Sequence, residues 1–244
     1  VQAALQQSRF GLVHRSRGEA RTVSWTKQDG PMKVVVYTAI FGGYDNVRAP
    51  LNQNPDAQYV LFTDAPASAP GVDVRVMKPK YNRRKSAREV KAMAHKYFPD
   101  ADYTIWVDGW LQLICDPFAL LPFLGDNDIA MEKHRERDCI YREAEEVIRV
   151  KKVISPKYPR AQVNRYRAEG FPEHYGLTAS YLTVRRNTDK MAELENLWWH
   201  EIDNGCDRDQ VSFFYCLWKM NMQCSILPHG QGKFYRSFKH ARSY

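Results

Sequence analysis

Asp108 closes the run "YTIWV" (103–107), whose aromatic and β-branched residues mark a buried strand. A carboxylate where such a strand ends can hold a hard divalent cation, and that cation can bridge two phosphates. A strand-end Asp also caps turns, which is the plainer reading of Asp108-Gly109 taken alone. A second carboxylate two residues on would favour the cation, but Trp110 stands there. Upstream, "RRKSAREVKAMAHKYF" (83–98) sets Arg84, Arg88, Lys91 and His95 at helical spacing on one face. Such a stripe is either a solvated face or a set of cations turned toward an anion. In the second case Arg forks the anion's oxygens and Lys supplies a point charge.

Other residues could join them. "YTAIFGGYDN" (37–46) ends a strand at Gly42-Gly43, which permits a tight turn or a close backbone approach. Tyr44 and Asp45 then offer a ring to stack on a base and a carboxylate for its N–H or for ribose hydroxyls; an ordinary turn fits as well. There is no GxGxxG, so a dinucleotide fold has little support. Asp207, Arg208, Asp209 and Gln210 open an apolar helix, where capping and the helix dipole favour acids. Capping accounts for Asp207 but not for the Arg-Asp-Gln cluster behind it. His134 follows "DIAMEK", where it could face a reacting hydroxyl, although a lone histidine is more often structural. Asp126-Asn127-Asp128 is a literal D-x-D, but it precedes a strand and reads as a turn.

The elements that must position these groups alternate. Strand-like runs are "KVVVYTAI", "QYVLFTD", "VDVRVM", "YTIWVD", "DIAMEKH" and "SYLTVRR". Helix-like segments are "RRKSAREVKAMAHKYF", "CIYREAEEVIRVKK", "KYPRAQVNRYRAEG", "TDKMAELENLWWHEID" and "DRDQVSFFYCLWKM". Alternation of this kind predicts an α/β fold with a mainly parallel central sheet and helices on both faces. Ligands in such folds bind at the carboxyl ends of the strands, near the switch in strand order, which is where Asp108 falls.

Composition sets the outer bounds. The 244 residues are 44% hydrophobic and 26% charged, an ordinary globular balance. The formal net charge of +8 points to an anionic partner without naming it. Five cysteines without CxxC or zinc spacing argue against a disulfide scaffold or zinc module. With no apolar signal-like block in residues 1–31, the expectation is a reduced, cytoplasmic protein without a membrane span. Residues 1–31 are expected to be a basic arm or linker, and residues 32–244 the folded domain.

"YTAIFGGYD", the "AREVK…H" helix, "YTIWVDG", "HRERDCIYREA" and "DRDQVSF" occur here in one order. Over about residues 33–220 the chain resembles the glycosyltransferase-like family once catalogued as domain of unknown function 616. Plant members of that family are linked to cell-wall polysaccharide synthesis. The resemblance implies a GT-A-type Rossmann-like fold, related in layout to the retaining glycosyltransferases of family eight. It also implies a nucleotide-sugar donor, a UDP-sugar, with Mn²⁺ or Mg²⁺. By position, Thr38, Ala39, Tyr44 and Asp45 would hold the nucleoside, and Arg88 and Lys91 would approach the diphosphate and donor sugar, with Arg84 beside them on the stripe. Asp108 would anchor the metal, and Asp209 and Gln210 would flank the reacting sugar. "LPHGQGK" supplies His229 as a second metal ligand and Lys233 for phosphate, with His240 a rival to His229. The departure is Trp110, which replaces a carboxylate or polar group of the metal motif.

Two other classes stay open from sequence: a decayed domain that binds sugar nucleotide or glycan without turnover, and a nucleic-acid-binding protein. A glycosyltransferase acting on DNA or another polyanion would combine two of these readings. The enzyme reading carries one geometric requirement. Arg88 and Asp108 must stand on the same side of the sheet.

Overall fold

The computed structural model describes residues 30–241. Lys33–Tyr244 form one compact unit. The expected N-terminal arm falls, for residues 1–29, outside the described residues.

All six strand-like runs are strands. They are β1 (Val34–Ile40), β2 (Ala57–Thr63), β3 (Asp73–Val76), β4 (Tyr103–Val107), β6 (Ile129–Lys133) and β7 (Thr178–Arg186). Three further strands, β5 (Leu111–Leu113), β8 (Ser225–Leu227) and β9 (Tyr235–Ser237), are too short to leave a periodic signal. The main sheet has seven strands in the order β3-β2-β1-β4-β7-β6-β8, and β5 pairs with β9 in a separate ribbon. Only β7 runs against its neighbours in the main sheet. The expected mixed α/β class with a mainly parallel sheet is therefore the observed one.

Strands β1 and β4 are nearly continuous apolar runs because both of their faces are covered. On one face Tyr37, Phe62, Phe98 and Trp106 form an aromatic cluster with Val90 and Ala94. Tyr37 meets Phe98 and Trp106 edge-on at 5.0 and 5.2 Å, the geometry ring quadrupoles favour. That face carries the helices α1 (Arg83–Ala92), α2 (Ala94–Tyr97), α5 (Asp189–Asn204) and α6 (Gln210–Lys219). The helices α3 (Ile140–Arg149) and α4 (Lys157–Ala168) extend the layer by packing on α6. The 3₁₀ helix Pro117–Leu124 packs against β1, β6, β7 and β8, where Leu182 and Val184 alternate with the helix-facing Thr183 and Arg185. Covering is thus present on both faces but heavier on one.

The basic segment 83–98 is two helices, because Met93 leaves helical geometry at φ −112°, ψ 46°. Asn82 starts α1 by accepting from the Lys85 N–H at 3.0 Å. The break takes His95 off the expected stripe and onto Glu195, whose carboxylate accepts from its backbone N–H at 2.8 Å. Glu195 also faces Arg185 at 3.2 Å, both side chains wholly buried. The Arg185 guanidinium donates to Tyr37 Oη at 2.6 Å and to the Lys91 carbonyl at 2.9 Å. Through those bonds β7 fixes the last turn of α1 to the sheet.

Arg185→Met removes the guanidinium partner of the buried Glu195 carboxylate and leaves it only the His95 backbone N–H and ring. We expect a loss of about 3–5 kcal/mol in unfolding free energy, read from the urea midpoint.

Candidate active site

The chain lays down β1, β2 and β3 outward in one direction and then returns to place β4 on the other side of β1. The strand order reverses there, so the carboxyl ends of β1 and β4 border a crevice. The crevice is a cavity of about 450 Å³, within the range of small-ligand sites. From β1 and its turn come Ala39, Phe41, Tyr44 and Asp45; α1 gives Arg83, Arg84 and Arg88. Asp108, Gly109 and Trp110 follow β4, Ser180 and Tyr181 lie in β7, and Arg208, Asp209 and Gln210 open α6. Lys152 and His240 complete the rim.

At the floor two carboxylates and two cations interlock. Lys91, 1% exposed at its side chain, reaches Asp209 Oδ2 at 2.7 Å and Asp108 Oδ1 at 3.4 Å. Arg88 places Nε 3.3 Å from Asp209 Oδ1 and Nη1 3.8 Å from Asp108 Oδ1. Arg88 and Asp108 therefore share one side of the sheet, as required. Ser180 Oγ donates to Asp209 Oδ2 at 2.7 Å and accepts from Lys91 Nζ at 2.9 Å. Burial pushes the Asp108 and Asp209 carboxyls up, but the two cations outweigh it and hold both below the ordinary carboxylate range. Burial lowers the Lys91 ammonium, and its two carboxylate partners offset that only in part.

Asp209 does not cap its helix, since its side chain makes no capping bond. Its carbonyl accepts from Trp198 Nε1 at 3.0 Å, which anchors the turn on α5. The carboxylate is left to point across to α1 and β7. Beside it, Gln210 Nε2 donates to the Thr178 carbonyl at 3.2 Å, which sets the side-chain orientation.

At the mouth, Gly42 and Gly43 take left-handed conformations, φ 63° and 57°, to turn the chain back after β1. The Gly42 N–H donates to Asp64, and a Cβ at Gly42 would come within 3.3 Å of Arg83. The ribbon β5–β9 carries the chain's end past the opening, with the Phe238 N–H donating to the Trp110 carbonyl at 2.9 Å. His240 thereby lies 2.7 Å from Asp45 Oδ1 and 4.6 Å, ring to ring, from Tyr44. Burial pushes the Asp45 carboxyl up, against the pull of His240.

Of the residues singled out from sequence, Ala39, Tyr44, Asp45, Arg84, Arg88, Asp108, Asp209 and Gln210 line this cavity, and Lys91 lies directly beneath it. Four stand elsewhere. Thr38 alternates to the opposite face of β1, in a narrow apolar slot with Val36 and Leu61. His134 uses Nδ1 to accept the Glu136 and Arg137 N–H groups at 3.3 and 3.1 Å, bracing the turn before α3. His229 pairs with Glu132 at 3.0 Å outside the cavity lining. Lys233 is exposed, its ammonium 5.0 Å from the Phe234 ring centre. Asp126 and Asn127 form a turn and Asp128 braces Arg186 and Thr188, as expected of a D-x-D ahead of a strand.

Sequence reading passed over Arg83, Lys152, Ser180, Tyr181 and the indole of Trp106. Neither Ser180, one of several polar residues in β7, nor Lys152 left a signal that could have singled it out. Trp106 Nε1 donates to Asp108 Oδ1 at 2.6 Å, and Trp110 Nε1 to Asp108 Oδ2 at 3.3 Å. Asp108 thus has both oxygens engaged by indoles, with an ammonium against one of them. Among the described residues no three His, Cys, Asp or Glu side chains converge as metal ligands. A resident Mn²⁺ or Mg²⁺ needs several free oxygen donors, and this donor set does not fit one.

A mixed α/β layout with its polar groups at the strand-order switch defines a ligand-binding class of fold, and comparison with known proteins narrows it. The chain belongs to the TOD1/MUCI70 glycosyltransferase-like domain family, whose model matches residues 72–233. It is 27% identical over 215 residues to the probable hexosyltransferase MUCI70 of Arabidopsis thaliana, across 74% of this chain. The chain spans 36% of the length of that relative. The apo structure of the WbbM bifunctional glycosyltransferase aligns with 82% of this chain and 39% of its own, at 14% identity and a TM-score of 0.40. That structural likeness is too slight to build on. No described helix is long and apolar enough to cross a membrane, and the five cysteines are free thiols.

Two outcomes follow from the floor cluster. Lys91→Met leaves two buried carboxylates with only Arg88 to offset them and should cost about 3–5 kcal/mol. Both carboxyls titrate lower in the folded than in the unfolded chain. Their contribution is complete above the ordinary value of 3.8 and is lost as pH falls below it. Acid denaturation followed by circular dichroism should show a shallower loss for Asp209→Asn than for the parent across that window.

Proposed function

We propose that residues 32–244 form a glycosyltransferase domain that moves a hexosyl group from a nucleoside-diphosphate sugar, UDP-linked, to an acceptor hydroxyl. The observation that carries this reading is one cavity holding five cationic side chains, Arg83, Arg84, Arg88, Lys152 and Arg208, beside the buried carboxylate of Asp209. Membership of a glycosyltransferase-like family and likeness to a probable hexosyltransferase support it.

The chemistry follows from charge placement. The bond between the anomeric carbon and the β-phosphate oxygen breaks, and its electron pair stays with that oxygen. Guanidinium and ammonium groups already in place stabilise the charge as it develops, with no reorganisation cost. The anomeric carbon passes through an oxocarbenium-like state, which the Asp209 carboxylate and the Gln210 amide oxygen stabilise. The acceptor oxygen bonds to that carbon, and its proton passes to the departing phosphate oxygen. Approach from the leaving-group side retains the anomeric configuration. Asp209 acts here as a fixed charge: one oxygen is held by Lys91 and Ser180, and its depressed basicity makes it a poor nucleophile. Tyr44 and Asp45, against His240, supply the ring and polar edge for the base and ribose.

A second reading has an observation of its own. Trp110 caps the carboxylate that would otherwise serve a metal, as in a domain that binds sugar nucleotide without turning it over. Single-turnover hydrolysis of UDP-sugars separates the two. An active enzyme releases UDP, with kcat/KM lowered about a hundredfold or more in Arg88→Ala. Saturable UDP binding with no release in any sugar series would sink the transferase and leave the binder. The product anomer, read by proton NMR, tests retention.

A further inference from the structure

We infer that this chain holds the leaving diphosphate with its own cations and no divalent metal, Trp110 having closed the metal position. The inference deepens the nucleotide-sugar reading and rests on it for the ligand's identity. Its physical basis is independent of turnover.

A divalent cation at the end of β4 would need Asp108 oxygens free toward the cavity and at least one further anionic ligand. Neither condition is met. Oδ1 accepts from Trp106 Nε1 at 2.6 Å and faces Lys91 at 3.4 Å. Oδ2 accepts from Trp110 Nε1 at 3.3 Å. The side chain two positions after Asp108, where a paired carboxylate would complete a metal site, is therefore a donor to the first carboxylate. The Trp110 ring is also wedged edge-on against Tyr181 at 5.6 Å, which fixes the indole N–H toward Asp108. A metal arriving there would displace two N–H donors and sit beside Lys91 and Arg88. Of the cavity's other two carboxylates, Asp209 is held by Lys91 at 2.7 Å and Arg88 at 3.3 Å, and Asp45 is turned to His240 at 2.7 Å.

The positive charge a metal would bring is instead built into the walls. Five cationic side chains line the cavity against three carboxylates, Asp45, Asp108 and Asp209. Arg208 Nε is buried with no hydrogen-bond partner among the described residues, and the side chain borders the cavity beside Asp209. Lys152 is brought to the rim because Arg84 donates to its carbonyl at 2.7 Å. A surplus of fixed cations in a concave, partly dry site suits a diphosphate directly. Asp108 becomes the anchor that orients Lys91 and Arg88, a positioning residue and not a metal ligand.

The test uses the intact chain, stripped with EDTA, and inorganic pyrophosphate as probe. Calorimetric titration in EDTA should show saturable binding, with affinity changing less than about twofold when Mn²⁺ replaces EDTA. The electron paramagnetic resonance signal of free Mn²⁺ should be undiminished by the apo chain. Arg208→Ala should weaken pyrophosphate at least about tenfold, the loss of a charge-assisted hydrogen bond. Any of three results overturns the inference: no pyrophosphate binding in EDTA, a gain of tenfold or more with Mn²⁺, or a stoichiometric Mn²⁺ site lost in Asp108→Asn. Pyrophosphate bound in EDTA with no sugar nucleotide cleaved would remove the proposed transfer while upholding this inference.

Discussion

The Lys91 ammonium, buried between Asp108 and Asp209, is the constraint on which the rest of the site depends. Three elements, α1, the end of β4 and the start of α6, bring four charges to the same dry point, two cations from α1 and one carboxylate from each of the others. No one of these charges could be buried alone; desolvation of an unpaired ion costs several kcal/mol. Each element is therefore held in register by the other two, and by Ser180 of β7, which bridges the ammonium and one carboxylate. The charge cluster is a cost taken in the core so that the cavity above it has a defined floor.

Beneath that floor a second polar network does related work. Arg185 ties the Lys91 carbonyl to Tyr37 and Glu195, so the backbone that carries the ammonium is fixed independently of the ammonium itself. Placement of a charge within a few tenths of an ångström needs this kind of support, because side-chain torsions alone leave a lysine too free. The aromatic cluster of Tyr37, Phe98 and Trp106 fills the space around both networks and keeps water from screening them. Trp106 belongs to both sets, with its ring in the core and its N–H on Asp108.

The upper half of the cavity is built differently. Its cations sit on half-buried positions of α1, on the link between α3 and α4 and just before α6, and the segment after β9 borders its mouth. A neutral, interlocked floor under a positive wall is the arrangement that the proposed diphosphate-sugar donor would meet.

Much of this was legible in the residues. The strand and helix runs announced themselves through apolar content and period, since those patterns reflect burial on one face or two. "YTIWVD" placed Asp108 at a strand end, and the four-residue step from Arg84 to Arg88 placed two cations on one helix face. Which histidine belongs to the cavity could not be read in this way. His134, His229 and His240 look alike in sequence, and only the antiparallel pairing of β5 with β9 brings the last of them to Asp45. The Met93 break, which removes His95 from the stripe, falls inside a run with no Gly or Pro to announce it. The role of Trp110 was equally hidden: sequence shows that a carboxylate is missing but not that the indole N–H turns back onto Asp108. Local chemistry is written residue by residue, whereas the partner of a charge or a ring is decided by contacts across about a hundred residues, which exist only once the sheet has closed.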